Sequence, residues 1–270
     1  MSFEAENFDL DRAQGVLVGL AAGDKILGPL EMSLMVAESL VARREYDLAD
    51  ITKRWLDWWR RGAWDMGRVF DEVMAMIDTG AEPDMAATEV HEAMRGKTAG
   101  CNGAHRVPVL AACAVITDND LDEAARTLTA RTHHHVLAQD AAVVVARLCR
   151  RLIKGATADV ALNGVADGLD PIIQASVDKF ETEPGGIGGY SPETLQSALH
   201  FVFTRMNFKS ALEDALRYAG PPNYSPVLVG AIAGARWGMG EIDQAHLSHC
   251  RDLERVTSTA KSLANQNYGK

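Results

Sequence analysis

Ala219-Gly220-Pro221-Pro222-Asn223-Tyr224-Ser225-Pro226 runs into Val227-Leu228-Val229-Gly230-Ala231-Ile232-Ala233-Gly234-Ala235-Arg236-Trp237-Gly238. Its second half is a small-residue helix pattern, with Gly230, Gly234 and Gly238 at four-residue spacing. Residues without a bulky side chain let a neighbouring helix approach closely, so the pattern predicts a central, buried helix. Its first half is a proline-rich loop that delivers the chain to the helix N-terminus, a natural place for an anion. A core helix after a tight turn accounts for the same residues equally well.

Outward from this helix the rest of the chain repeats the helical period. Asp9 and Asp11 suit the start of a helix over 9–23, and Leu30, Leu34, Met35, Ala37 and Val41 mark a second. Asp50 is placed to cap a third, with Trp55, Trp58 and Trp59 as a core-facing stripe. Residues 96–108 form a glycine-rich loop, helical periodicity returns over 109–117, and 136–153 make a long apolar helix. A second glycine-rich loop covers 183–190, and Ser191-Pro192 supplies a cap and a first-turn proline. Helices over 209–218, 226–239 and 242–263 follow. No stretch alternates at period two, and no βαβ rhythm or repeat occurs. The expectation is one all-α domain over 1–270, with 1–8 and 264–270 as flexible tails.

The chain has 270 residues, of which 47% are hydrophobic and 24% charged, as in soluble globular proteins. A formal net charge of -10 argues against nucleic-acid and anionic-membrane partners. Cys101, Cys113, Cys149 and Cys250 are too scattered for a zinc site or disulfide framework. The acidic N-terminus lacks the character of a signal peptide, so cytoplasmic residence is expected.

Three polar features invite a functional reading. Gly96 to Arg106 is rich enough in glycine to cradle phosphate with backbone N–H groups, yet lacks a P-loop ending and a preceding strand. His133-His134-His135 is a poor metal motif, because adjacent helical residues diverge by about 100°, but it offers one or two ring nitrogens at a helix start. Asp65, between Trp64 and Gly67, suits either a loop cap or an acid held in a pocket.

Taken together these loops resemble the ADP-ribosylglycohydrolase family over nearly the whole chain. Gly15-Val16-Leu17-Val18-Gly19-Leu20-Ala21-Ala22-Gly23-Asp24 looks like its opening G-x-x-x-G-x-A-x-G-D, and Trp64-Asp65-Met66-Gly67 like its D-I-G turn. Gly100-Cys101-Asn102-Gly103-Ala104-His105-Arg106 is similar to its G-N-G-A-x-x-R loop. Thr132-His133 resembles its T-H motif, Gly188-Gly189-Tyr190 its G-G-Y/F loop, and Gly230 to Ala235 its G-A-x-A-G-A helix.

The resemblance implies an all-helical fold and a cleft that holds ADP-ribose and cleaves its bond to a modified side chain. It also implies two magnesium ions held by carboxylates and Thr hydroxyls, which suits a hard cation. The residues depart from that pattern. Asp24 is followed almost at once by Leu27-Gly28-Pro29-Leu30, without the loop and acids found in typical members. Pro221, Asn223 and Tyr224 stand where two acids and a Thr are expected. The implied reading is a divergent hydrolase of an N-glycosidic or related C–N bond without a metal cofactor. Asp65, Asp24 and His133 then serve catalysis. Asn102, Gly103, Arg106, His135, Tyr190, Asn223 and Tyr224 bind a small ADP-ribose-like ligand. A non-catalytic nucleotide-binding protein or scaffold, as a homodimer, is the alternative.

Overall fold

A computed structural model describes residues 8–266. The helices run α1 (Leu10–Gly23), α2 (Gly28–Arg43), α3 (Leu48–Arg60), α4 (Arg68–Asp78), α5 (Pro83–Ala93), α6 (Asn102–Arg106), α7 (Pro108–Ala111) and α8 (Leu121–Ala130). They continue with α9 (Val136–Ile153), α10 (Ala158–Leu162), α11 (Pro171–Lys179), α12 (Ser191–Thr204), α13 (Phe208–Ala219), α14 (Tyr224–Trp237) and α15 (Leu253–Asn265). Among the described residues no strand occurs, and no helix is long and apolar enough to cross a membrane.

The centre is an antiparallel pair, α1 against α14. A side chain on Gly19 would overlap the carbonyl of Gly230, and one on Gly234 would overlap that of Gly15. Gly23 meets Pro226 in the same way. The two glycine rows face each other, so the backbones touch where side chains would ordinarily separate them. Every residue of α14 from Ser225 to Ala235 is buried. The all-α single domain expected from the sequence is what the chain forms.

Several local expectations are corrected. Asp47, rather than Asp50, caps α3 by accepting from Asp50 N–H at 2.9 Å; Asp50 turns to Arg54 and Ser39. Residues 102–106 of the expected glycine-rich loop are helical, and of the expected 109–117 helix only 109–111 form, as part of α7. Tyr190 occupies the cap of α12, which leaves Ser191 as its first residue. The expected 242–263 helix starts only at Leu253, after two short 3-10 turns at Met239–Glu241 and Gln244–Leu247. Phe8 packs on the core and Ala264 is buried in α15, so neither belongs to a tail. Residues 1–7 and 267–270 of the proposed tails lie outside the described residues.

Of the tryptophan stripe, Trp55 and Trp58 are buried, as core residues should be. Trp59 lies at the edge and donates its indole N–H to Asp71 at 2.7 Å.

Candidate active site

One end of the α1/α14 pair opens into a cleft of about 260 Å³. The turn after α1, the turn before α4, the start of α6, His133 and the loop before α14 form its walls. Polar groups on these short connections hold one another, so the cleft is built largely from loops pinned by side chains.

Asp24 ends α1 and is fully buried. Its Oδ1 accepts N–H groups of Ile26 (3.1 Å) and Leu27 (2.8 Å) and the Asn223 amide (3.0 Å). Its Oδ2 accepts from Leu30 (2.8 Å). Burial raises the Asp24 pKa, and these donors offset that rise only in part. The carboxylate therefore folds the short 24–30 turn upon itself, with Leu27 forced to φ 75°. A catalytic role does not fit Asp24, which is fully buried and is not among the residues that line the cleft. Asn223, which precedes the first residue of α14, ties that helix start to Asp24 through its side-chain amide.

An Asp24→Asn variant tests this directly. An amide at Oδ2 faces the Leu30 N–H donor to donor, and a charge-assisted bond is lost. The expected cost is roughly 2–3 kcal/mol in urea denaturation. Loss of catalysis at unchanged stability would instead make Asp24 a reacting group.

Asp65 is the acid that reaches the cleft. Its residue has φ 49°, a backbone state that Asp tolerates better than most side chains. Two anchors hold its turn. Trp64 Nε1 donates to Ile26 O (3.1 Å) while its ring packs edge-on against Trp58, and Asn102 Nδ2 donates to Met66 O (2.6 Å). Gly28 comes so close to Asp65 that any side chain there would collide with it, and its N–H donates to the Asp65 carboxylate. Desolvation first, and the charge of Asp24 second, push the Asp65 pKa up to about 6; the Gly28 bond acts against them.

The other expected site residues divide sharply. Asn102, His133, Asn223 and Tyr224 line the cleft. Arg106 does not. Its guanidinium is buried 4.4 Å above the Trp55 ring and donates to Thr132 Oγ1 at 2.6 Å, so it cannot meet a ligand phosphate. Gly103 faces Thr129, where a side chain would overlap the Thr methyl; it is a packing glycine of α6. His135 caps α9, accepting from Leu137 N at 3.1 Å, and its ring lies against His91 away from the cleft. Tyr190 points into a separate groove with Ile172 and Pro192. Tyr224 is the aromatic on the cleft wall, against Gly189.

His105 and Cys101 were missed as lining groups. His105 Nε2 donates to Tyr224 O (2.9 Å) and ties α6 to the start of α14, while burial lowers its pKa to about 4. Only their place in the 100–106 run pointed to them. The two glycine-rich loops are joined through backbone bonds, Cys101 N to Gly189 O and Ser191 N to Ala99 O, each 2.9 Å.

As donors for a dinuclear magnesium centre these residues do not fit. Asp65 is the only acid among the described lining residues, and Asp24 is buried behind them with Oδ1 accepting three donors and Oδ2 one. Among the described residues no group of three or more His, Cys, Asp or Glu is arranged to hold a metal ion.

An all-helical domain with a loop-built cleft at the end of a glycine-packed helix pair is the architecture of a known class of hydrolases. The family model for ADP-ribosylglycohydrolase matches residues 5–270, and the chain belongs to that family. It is similar to the ADP-ribosyl-[dinitrogen reductase] glycohydrolase of Rhodospirillum rubrum, at 25% identity over 246 residues, 89% of this chain and 80% of that one. It also shares the fold of a solved ADP-ribosylglycohydrolase-related protein complex. That match has a TM-score of 0.81 and 24% identity, over 96% of this chain and 98% of the other.

Proposed function

We propose that the cleft hydrolyses an N-glycosidic or related C–N bond of an ADP-ribose-like ligand, with Asp65 as general base and without the two magnesium ions of typical relatives. Asp65 carries the reading. It is a cleft carboxylate with a pKa raised to about 6, ionised at neutral pH yet basic enough to take a proton from water. The water oxygen bonds to the anomeric carbon as the C–N bond breaks. The proton collected by Asp65 passes to the departing nitrogen. Tyr224 and Asn102 form the walls that would orient the sugar and base. Cytoplasmic residence belongs to the same reading.

The test is hydrolysis of ADP-ribosyl-arginine and related N-ribosides with a chelator present. Turnover should persist, and kcat/KM should rise about tenfold per pH unit up to about 6 and then level, as one ionising base requires. Activity lost with chelator and restored by Mg²⁺ would overturn the metal-free reading. The second reading, binding without turnover, is favoured by the engagement of Asp24 and Arg106 in structural roles. It predicts calorimetric binding of ADP-ribose with no hydrolysis of any N-riboside.

A further inference from the structure

Arg106 poses a question that the hydrolase reading leaves unanswered. It is a fully buried guanidinium with no carboxylate in ion-pair contact among the described residues, cushioned on Trp55 at 4.4 Å and Phe70 at 5.8 Å. Such a cation is costly to bury unless it serves a purpose. Its one short polar contact is to Thr132 Oγ1, at 2.6 Å. Thr132 Oγ1 in turn lies 2.9 Å from His133 Nδ1.

Arginine only donates, so Thr132 Oγ1 accepts from Arg106. His133 Nδ1 is the one acceptor bonded to that hydroxyl among the described residues, and the Thr132 proton is best satisfied there. Nδ1 is then the acceptor and the ring proton sits on Nε2. That edge of the ring borders the cleft. A Cβ on Gly100 would stand 3.2 Å from both Nε2 and Cδ2, so it is the missing side chain at Gly100 that lets this edge of an otherwise buried ring meet the cleft.

We infer that Arg106 and Thr132 are positioning residues that lock His133 as its Nε2–H tautomer, so that the ring offers one hydrogen-bond donor to an acceptor oxygen of the bound ligand. Protonation of the ring is opposed by burial, then by the charges of Arg106 and His105, the two groups that face it; its pKa lies well below the ordinary histidine value. His133 thus acts as a specificity-determining donor and not as a proton shuttle. A ligand must place a carbonyl, hydroxyl or phosphate oxygen opposite Gly100, and one presenting an N–H there is rejected.

Nitrogen-15 spectra of histidine-labelled protein read the tautomer without substrate. The wild type should show protonated Nε2 and bare Nδ1, unchanged from pH 8 to pH 5. Thr132→Val should mix the tautomers, and Thr132→Ser should restore the single form. A protonated Nδ1, or an imidazolium at pH 6, would overturn the assignment. Titration with ADP-ribose should move the His133 Nε2–H signal, and Gly100→Ala should weaken that binding about tenfold, the loss of one good hydrogen bond. A complex that forms without moving the signal, or that Gly100→Ala leaves at full affinity, refutes the ligand contact. Asp65→Asn should leave the tautomer unchanged, so failure of the hydrolase reading and failure of this one are separable.

Discussion

Asp65→Asn is expected to lower kcat by at least about 100-fold, within the usual range for loss of a general base, with KM changed little. The variant keeps the shape of the turn, because Trp64 and Asn102 hold it on both sides. It removes only the proton acceptor. The same substitution should raise stability, and the sign follows from the ionisation. Asp65 has a folded pKa of about 6 against the ordinary aspartate value of 3.8. Between those values the folded chain holds a proton that the unfolded chain has released, so folding weakens as pH rises through the interval. Above about 6 the native state bears the full cost of a partly desolvated charge, which an amide avoids. Thermal melting of Asp65→Asn should therefore exceed wild type at pH 7–8 and converge with it below pH 4. Wild-type turnover in the variant would remove Asp65 from the mechanism, whereas a lower melting point at pH 8 would contradict the raised pKa.

Gly230→Ala is the second large effect. In an isolated helix this change stabilises by about 1 kcal/mol. Here the new methyl would overlap the carbonyl of Gly19 and press on the backbone of Gly23, neither of which can rotate away. Overpacking typically costs about 1–3 kcal/mol when side chains can adjust. With only backbone to displace, a net loss of at least about 3 kcal/mol is expected in denaturant unfolding. The reciprocal change Gly19→Ala should cost a similar amount, since it meets the same contact from the other side. A neutral Gly230→Ala would show that the two helices are free to separate.

The sequence foretold the frame better than the site. Gly230 and Gly234 announced close packing because only backbone-to-backbone contact makes four-residue glycine spacing useful. What it could not announce was the partner, since the pairing with Gly19 and Gly15 spans most of the chain. The helix positions followed from apolar period, and they failed where caps compete: Asp47 lies three residues before Asp50 and took its role. Asp65, Asn102, Asn223 and Tyr224 do line the cleft, since each lies in a turn or at the first residue of a helix that opens onto it. Arg106 was read as a ligand group because a cation in a glycine-rich loop suggests phosphate. Its segment is instead helical, and that turns the side chain inward onto Trp55. Tyr190 and His135 went astray for a related reason, as both lie at helix starts whose direction no local pattern specifies.

The glycine pairing also sets a timetable for synthesis. α1 emerges among the first residues of the chain, yet the surface it packs against arrives about 200 residues later. At roughly 5–20 residues per second, the apolar α1 waits on the order of 10–40 s for its mate. A ribosome stalled before Tyr224 leaves the glycine row of α1 without the helix it packs against most closely, and the cleft without the wall that α14 begins.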